Sequence, residues 1–354
     1  MIRYYTRACN FKYGPTAKQL IYSKKALPLC GNKNISFEEI EIISRNKNKI
    51  YSKIINYKKI NTLSTLLRSK VRKDLKNITS RRKNFLKNVK FLEPCIMGIL
   101  NLTPDSFSDG GKYIKNKNGL LHAKKLINDG CRILDVGGES TRPGSNEISS
   151  SEEWKRLHPT LSKIKKFKKF ISLDTRKSYI MEKGIKNKIN LINDISGLEH
   201  DAKTLELLKK TKIPFVIHHI QGNPATMQKN PKYKNVILDI YDFFENKIKY
   251  LRSIGIKHNN IILDPGIGFG KNLKHNITLL RKISIFHSLG FPVMLGTSRK
   301  RFIKDLSGVN DSKERLGGTI ASNLFAIMQG VQILRVHDVN EVNQSIKVFK
   351  SLKF

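Results

Sequence analysis

The sequence predicts a closed (β/α)8 barrel preceded by a basic N-terminal extension, and three observations carry that prediction. From residue 94 onward, eight short apolar runs of strand length alternate with segments of helical spacing. Strict alternation builds a parallel sheet, because each parallel return needs a crossover. The stretch 94–354 has the roughly 250-residue length of a closed eight-unit barrel. Lastly, a polar residue stands at or just beyond the same end of every run, which in a barrel brings all eight to one mouth. A doubly wound open sheet is the structural alternative, but it would scatter those ends.

The strand runs are 96–100, 132–136, 170–174, 190–195, 215–219, 261–264, 293–296 and 332–336. Helical spacing covers 120–128, 152–167, 177–188, 204–210, 236–253, 277–288, 316–329 and 340–351, with 177–188 the weakest. Residues 1–93 stand apart, with 23 Lys and Arg against 5 Asp and Glu. Within them, 35–45 alternates as a strand does and 63–86 has helical spacing with basic faces. A small appended subdomain and a partly disordered arm both fit. No catalytic motif lies there.

The net charge of +39 taken alone points to nucleic acid or an anionic membrane. Yet the lysines arrive with abundant Asn and Ile throughout and are spread over helix faces, as in KKFKKF. The charge is therefore read as solvated surface, with no specific nucleic-acid partner. No run approaches the roughly 18 apolar residues of a membrane span. Cys9, Cys30, Cys95 and Cys131 show no CxxC spacing, which argues against a metal site and fits a reducing compartment. The acid-free first three dozen residues would also suit an organelle transit peptide. The whole chain shares that bias, so a cytoplasmic location is expected.

The first strand opens the stretch CIMGILNLTPDSFSDGG at 95–111. Pro104 stops the strand, and Asn101, Asp105, Ser106, Ser108 and Asp109 then crowd its end around Phe107. The second strand runs into GGESTRPGS at 137–145, where paired glycines accompany Arg142 and hydroxyls, a composition suited to an anion or phosphate ester. Asp135 ends strand two, Asp174 strand three, Asn193 and Asp194 strand four and Asp264 strand six, Gln221 follows the fifth, and Ser298, Arg299 and Lys300 follow the seventh. Asp174, Asn193 and Asp264 suit a flat heterocycle carrying ring N–H and amino donors, with Lys300 for its acceptor side. A fused pterin fits that description. Arg335 and His337 alternate on the last strand and so face one side. With Asn101 and the second loop they form a diphosphate grip, Mg²⁺ offsetting the remaining charge. Adjacent His218 and His219 point to opposite faces and cannot share an ion. DPGIGFGK at 264–271 spaces its glycines GxGxG, unlike a dinucleotide fingerprint.

These two loops together closely resemble those of the pterin-binding barrel enzymes, specifically the dihydropteroate synthases, over residues 94–354. The resemblance implies condensation of 6-hydroxymethyl-7,8-dihydropterin diphosphate with p-aminobenzoate, with loss of diphosphate, in folate biosynthesis. It assigns pterin recognition to Asp135, Asp174, Asn193, Asp264, Phe269 and Lys300. The diphosphate and p-aminobenzoate go to Asp105, Phe107, Thr141, Arg142, Pro143, Ser298, Arg335 and His337. Chemistry falls to Asn101, Asp135, Lys300, Arg335 and His337, with Asn101 a ligand of Mg²⁺. The family usually carries Met where His218 and Ile220 stand. Sulfonamide sensitivity and a homodimer are further expectations. The alternative is a methyltetrahydrofolate-dependent methyltransferase using the same pterin-reading barrel, which should lack both the TPDSFSDGG loop and the RxH pair. An RNA-associated protein acting through its basic arm is the reading from another class.

Overall fold

The computed structural model describes residues 2–86, 89, 91, 93–103, 115–140 and 144–354. The N-terminal region is folded. Strands β1 (Arg3–Cys9), β5 (Glu39–Asn46) and β6 (Lys49–Asn56) form one antiparallel sheet, and β2 (Lys12–Tyr13), β3 (Leu27–Leu29) and β4 (Asn32–Phe37) form another. Helices α1 (Gly14–Tyr22) and α2 (Thr65–Thr79) complete it. The single strand expected over 35–45 is two strands, because the chain changes sheets at Glu38. Ile35, Ser36 and Phe37 are consecutively buried there, which no one-faced alternation allows. Likewise α2 stops short of 86, its last carbonyls taken by the Thr79 and Ser80 hydroxyls.

The barrel strands are β7 (Cys95–Asn101), β8 (Ile133–Gly137), β9 (Phe170–Asp174), β10 (Leu191–Asp194), β11 (Phe215–His218), β12 (Ile261–Asp264), β13 (Met294–Leu295) and β14 (Ile333–Val336). They pair in parallel in the order β12-β11-β10-β9-β8-β7-β14-β13, and a Leu263–Val293 bridge closes the ring. The crossover helices are α3 (Lys115–Asn128), α4 (Ser150–Ile164), α5 (Ser178–Lys186), α6 (Thr204–Thr211), α7 (Val236–Ser253), α8 (Leu273–Arg281), and α9 (Arg301–Ser307) with α10 (Leu316–Met328), and α11 (Val339–Lys353) follows the last strand. The expected (β/α)8 barrel is present. Helix α9 has no counterpart in the sequence reading.

Register explains why the strands are apolar almost throughout. Leu134, Val136, Leu173, Ile192, Ile217 and Leu263 are all fully buried and alternate with residues on the opposite face. That opposite face is the barrel interior, where Asn101, Gly137, Asp174 and Asn193 stand in one pairing register across β7 to β10. Gly98 lies on the outer face, where a Cβ would sit 3.1 Å from Val339 of α11. The N-terminal sheet packs against α7, with Tyr5 edge-on to Tyr241, and against the segment Ile283–Leu289 ahead of β13. Among the described residues no helix is long and apolar enough to cross a membrane.

Candidate active site

The strand ends converge as a divided polar floor. On one side Arg335 donates from Nε to Asp135 Oδ2 at 2.6 Å and from Nη2 to Asp174 Oδ2 at 2.6 Å. Asn193 Nδ2 donates to the same Asp135 oxygen at 3.1 Å. One guanidinium therefore bridges two buried carboxyl groups and fixes both planes. Burial still pushes the Asp174 carboxyl up to about 7, with Arg335 opposing and Asp135 adding to the rise. Asp135 Oδ1, Asp174 Oδ1 and Asn193 Oδ1 are buried and meet no hydrogen-bond partner among the described residues. Three acceptors left in that state on adjacent strands are a template for a ligand with several donors on one edge.

The other side is richer in base. Asp264 takes the Gly266 N–H at 2.8 Å on Oδ1, and His218 Nδ1 lies 3.4 Å from Oδ2. Against burial, which would raise it, His218 and Lys300 hold this carboxyl below its usual range. Lys300 donates to the Ile267 carbonyl and lies 4.6 Å from the Phe269 ring centroid. Burial lowers its ammonium to about 7. The loop can pass this close because Gly266 and Gly268 take φ of +69 and +81, and a Cβ on Gly266 would stand 2.0 Å from the His219 carbonyl oxygen.

Ser298 and His337 pair at the rim, with Oγ 3.0 Å from Nδ1 and the His337 amide donating to Oγ at 3.2 Å. Asn101 is half-buried, and Gly137 leaves the space between Asn101 and Asp174 open. A Cβ there would lie 3.6 Å from both Asn101 Oδ1 and Asp174 Oδ2. Among the described residues no group of three or more His, Cys, Asp or Glu could hold a metal. Asp105, Phe107, Thr141, Arg142 and Pro143 lie outside the described residues.

A family profile described as "Pterin binding enzyme" matches residues 97–337. The dihydropteroate synthase of Escherichia coli K12 is 43% identical over 259 residues, covering 73% of this chain and 91% of that protein. The chain belongs to the dihydropteroate synthases. A Yersinia pestis dihydropteroate synthase solved with a sulfonamide drug complex superposes with a TM-score of 0.70 at 39% identity, covering 75% of this chain and 95% of that one. The Xanthomonas albilineans dihydropteroate synthase with 4-aminobenzoic acid gives 0.71 at 33% identity, with 75% and 94% covered.

Set beside that membership, several strand-end residues serve the scaffold. Asp194 faces outward and caps its own loop through Ser196. Gln221 bonds both ways to the Lys232 backbone, and Arg299 pairs with Asp338. Arg335, expected on the diphosphate, has two of its guanidinium nitrogens committed to Asp135 and Asp174.

Two supports for the site went unread in the sequence. Lys177 donates to Glu139 at 2.9 Å, to Glu153 at 2.9 Å and to the Ile148 carbonyl at 2.6 Å. Arg176 adds a bond to Glu139 at 3.1 Å, so this network secures both flanks of the second loop. Lys271, 2% exposed, bonds His219 Nδ1 at 3.0 Å, the His219 carbonyl at 3.3 Å and the Phe269 carbonyl at 2.8 Å. It ties the Phe269 loop to β11. A signal for the first was the acidic pair Glu152–Glu153 opening a helix, while nothing local marks the second.

Asp174 couples stability to pH. In the unfolded chain it ionises near pH 4, whereas the folded carboxyl keeps its proton up to about 7. The folded state binds more protons between those values, so stability falls as pH rises through that window. Asp174→Asn should flatten the fall in Tm between pH 5 and 8. It should also weaken pterin binding by about 1–3 kcal/mol through the lost acceptor. Thermal melts across pH and calorimetry with 6-hydroxymethylpterin check the two halves.

Proposed function

We propose that this enzyme condenses 6-hydroxymethyl-7,8-dihydropterin diphosphate with p-aminobenzoate to give 7,8-dihydropteroate and diphosphate. The observation that carries the reading is the row of buried acceptors on Asp135, Asp174 and Asn193, set opposite Asp264 and Lys300. A pterin presents ring N–H and amino donors beside a carbonyl acceptor, which matches a floor divided in this way. Phe269 covers the ring face. Lys300, brought close to neutrality by burial, donates to the acceptor side without the full cost of a buried cation.

The bond from the pterin methylene carbon to the diphosphate oxygen breaks, and the amine lone pair of p-aminobenzoate forms the new C–N bond. The nitrogen then releases its proton. An arylamine is already unprotonated at neutral pH, so no activated nucleophile is required. The developing cation is delocalised into a ring whose edge faces the carboxylates of Asp174 and Asp264, and preorganised charge of this kind favours the transition state most. Ser298, His337 and Asn101 stand at the rim for the diphosphate, and the family resemblance gives Asp105, Thr141 and Arg142 the same ligand. The family resemblance gives Phe107 and Pro143 to the benzene ring of p-aminobenzoate, a role that suits their apolar side chains.

Asn101 fits Mg²⁺ in donor chemistry. One neutral amide oxygen is a hard ligand, and this ion usually completes its shell with water and substrate phosphates instead of a protein cage. When bound, Mg²⁺ supplies charge neutralisation for the departing diphosphate. A homodimer in the cytoplasm that is sensitive to sulfonamides completes the proposal. The methyltransferase alternative gains no support from these relatives.

The test is turnover. Purified enzyme with both substrates and Mg²⁺ should form dihydropteroate, lose activity on chelation, and be inhibited by sulfonamides in competition with p-aminobenzoate. Absence of product under those conditions overturns the reading.

A further inference from the structure

His218 ends β11 in register with Asp264 at the end of β12, so both side chains face the barrel interior. Its neighbour His219 turns outward, edge-on to Phe243 of α7 with centroids 4.9 Å apart. The imidazole of His218 is 4% exposed and packs edge-on against Phe269, with centroids 4.5 Å apart. Nδ1 lies 3.4 Å from Asp264 Oδ2, while Nε2 is buried with no hydrogen-bond partner among the described residues. A neutral imidazole that donates from Nδ1 has a lone pair on Nε2. Lys300 and Lys271 bear on the ring from two loops, His219 adjoins it, and Asp264 is the carboxylate beside it. Burial of the ring favours that neutral form; Asp264 opposes it, and Lys300 and Lys271 add to the effect of burial.

We infer that His218 is a further pterin-recognition residue, with Nδ1–H holding the plane of Asp264 and Nε2 accepting a donor from the bound pterin. The inference rests on the pterin reading of the site. Asp264 is then fixed from both sides, by the Gly266 amide on Oδ1 and by His218 on Oδ2, and each oxygen keeps a lone pair for the ligand. Nε2 extends the row of interior acceptors beyond Asp135, Asp174 and Asn193 onto the fifth strand. A buried acceptor paired only when ligand is present adds to affinity and to discrimination, because a ligand lacking the donor leaves it unpaired.

Calorimetry with 6-hydroxymethylpterin on four folded proteins tests this: wild type, His218→Met, His218→Asn and His218→Gln. Methionine keeps the volume and removes both nitrogens, and it should weaken binding at least tenfold. Asparagine restores a donor near Nδ1 and glutamine an acceptor near Nε2, so each should recover part of the loss. In steady state His218→Met should raise KM for the pterin diphosphate, leave KM for p-aminobenzoate unchanged, and alter kcat by less than threefold. Binding by His218→Met as tight as wild type overturns the inference. So do Asn and Gln variants that are folded yet no better than Met, since the ring would then serve packing alone. Failure of the wild type itself to bind the pterin is a separate outcome, and it overturns the functional reading beneath.

Discussion

Arg335→Met is expected to lower kcat/KM for the pterin substrate by roughly 10²–10⁴-fold, since removing one partner of a buried ion pair costs about 3–5 kcal/mol. Two carboxylates depend on this guanidinium, one on Nε and one on Nη2, each at 2.6 Å. Asp135 is fully buried and Asp174 is 5% exposed. Burial already holds the Asp174 proton up to about pH 7 with the arginine in place. Without the arginine, two interior carboxyl groups face one another uncompensated, and Asp174 holds its proton to higher pH still. A protonated carboxyl offers a donor where the pterin needs an acceptor, so binding falls along with the charge that faces the developing cation. Arg335→Lys should rescue little, because a single ammonium cannot bridge two carboxylates with separate nitrogens. Steady-state kinetics on variants shown to be folded check the result. A loss smaller than tenfold for both would mean that the bridge is not part of the working site.

The legible part of this site was the part that interrupts a hydrophobic pattern. Asp135, Asp174, Asn193 and Asp264 each stand at or near the close of an apolar run, and strand periodicity turns all four inward. The same rule overreaches at Asp194, which also closes a run. One position further along, it faces outward beside Ile217 and caps Ser196. Lys271 was illegible for a different reason. Its partners are two carbonyls and an imidazole, two of the three on His219 just past β11 and some fifty residues earlier, and an amine satisfied by such groups leaves no charge pattern in sequence. Helix α9 has only two buried apolar residues, Phe302 and Ile303, too few to establish a period. In the N-terminal region the chain changes sheets at Glu38, and the long strands do not alternate in burial: β5 is buried over residues 40–43 and β6 exposed over 49–54, so a period of two does not separate a folded module from an arm. The barrel was readable because one strand–helix pattern repeats eight times. The appended sheets carry no repeat.

Arg82→Met is expected to destabilise the protein by about 2–5 kcal/mol, from several buried carbonyls losing their donors at once, while leaving the kinetic constants of the folded enzyme unchanged. Arg82 is 4% exposed. It donates to the carbonyls of His287 at 2.9 Å, Phe291 at 3.1 Å, Asn77 at 2.8 Å and Ser80 at 2.9 Å. It thus joins the end of α2 to the turn that feeds β13. The contacts around it are of the same kind. Tyr5 meets Tyr241 of α7 edge-on at 5.1 Å and donates to Asp242 at 2.9 Å, Arg45 pairs with Asp239 at 2.7 Å, and Phe85 packs on Phe291 at 6.2 Å. Tyr5, Ile43, Phe85 and Leu86 belong to the same apolar cluster as the barrel strands. The sequence placed every candidate site residue beyond 93, so the extension is dispensable for chemistry in the sense that none of it supplies a reacting group. It is not dispensable for the fold. Deleting residues 2–86 would uncover Tyr241, Phe286 and Phe291 and strand the carbonyls that Arg82 serves, so the truncated barrel should aggregate or melt well below the full chain. The point variant separates the two roles. A lower Tm for Arg82→Met with wild-type kcat and KM at 20 °C assigns the module to stability, whereas a shifted KM at unchanged Tm would place it in communication with the active site.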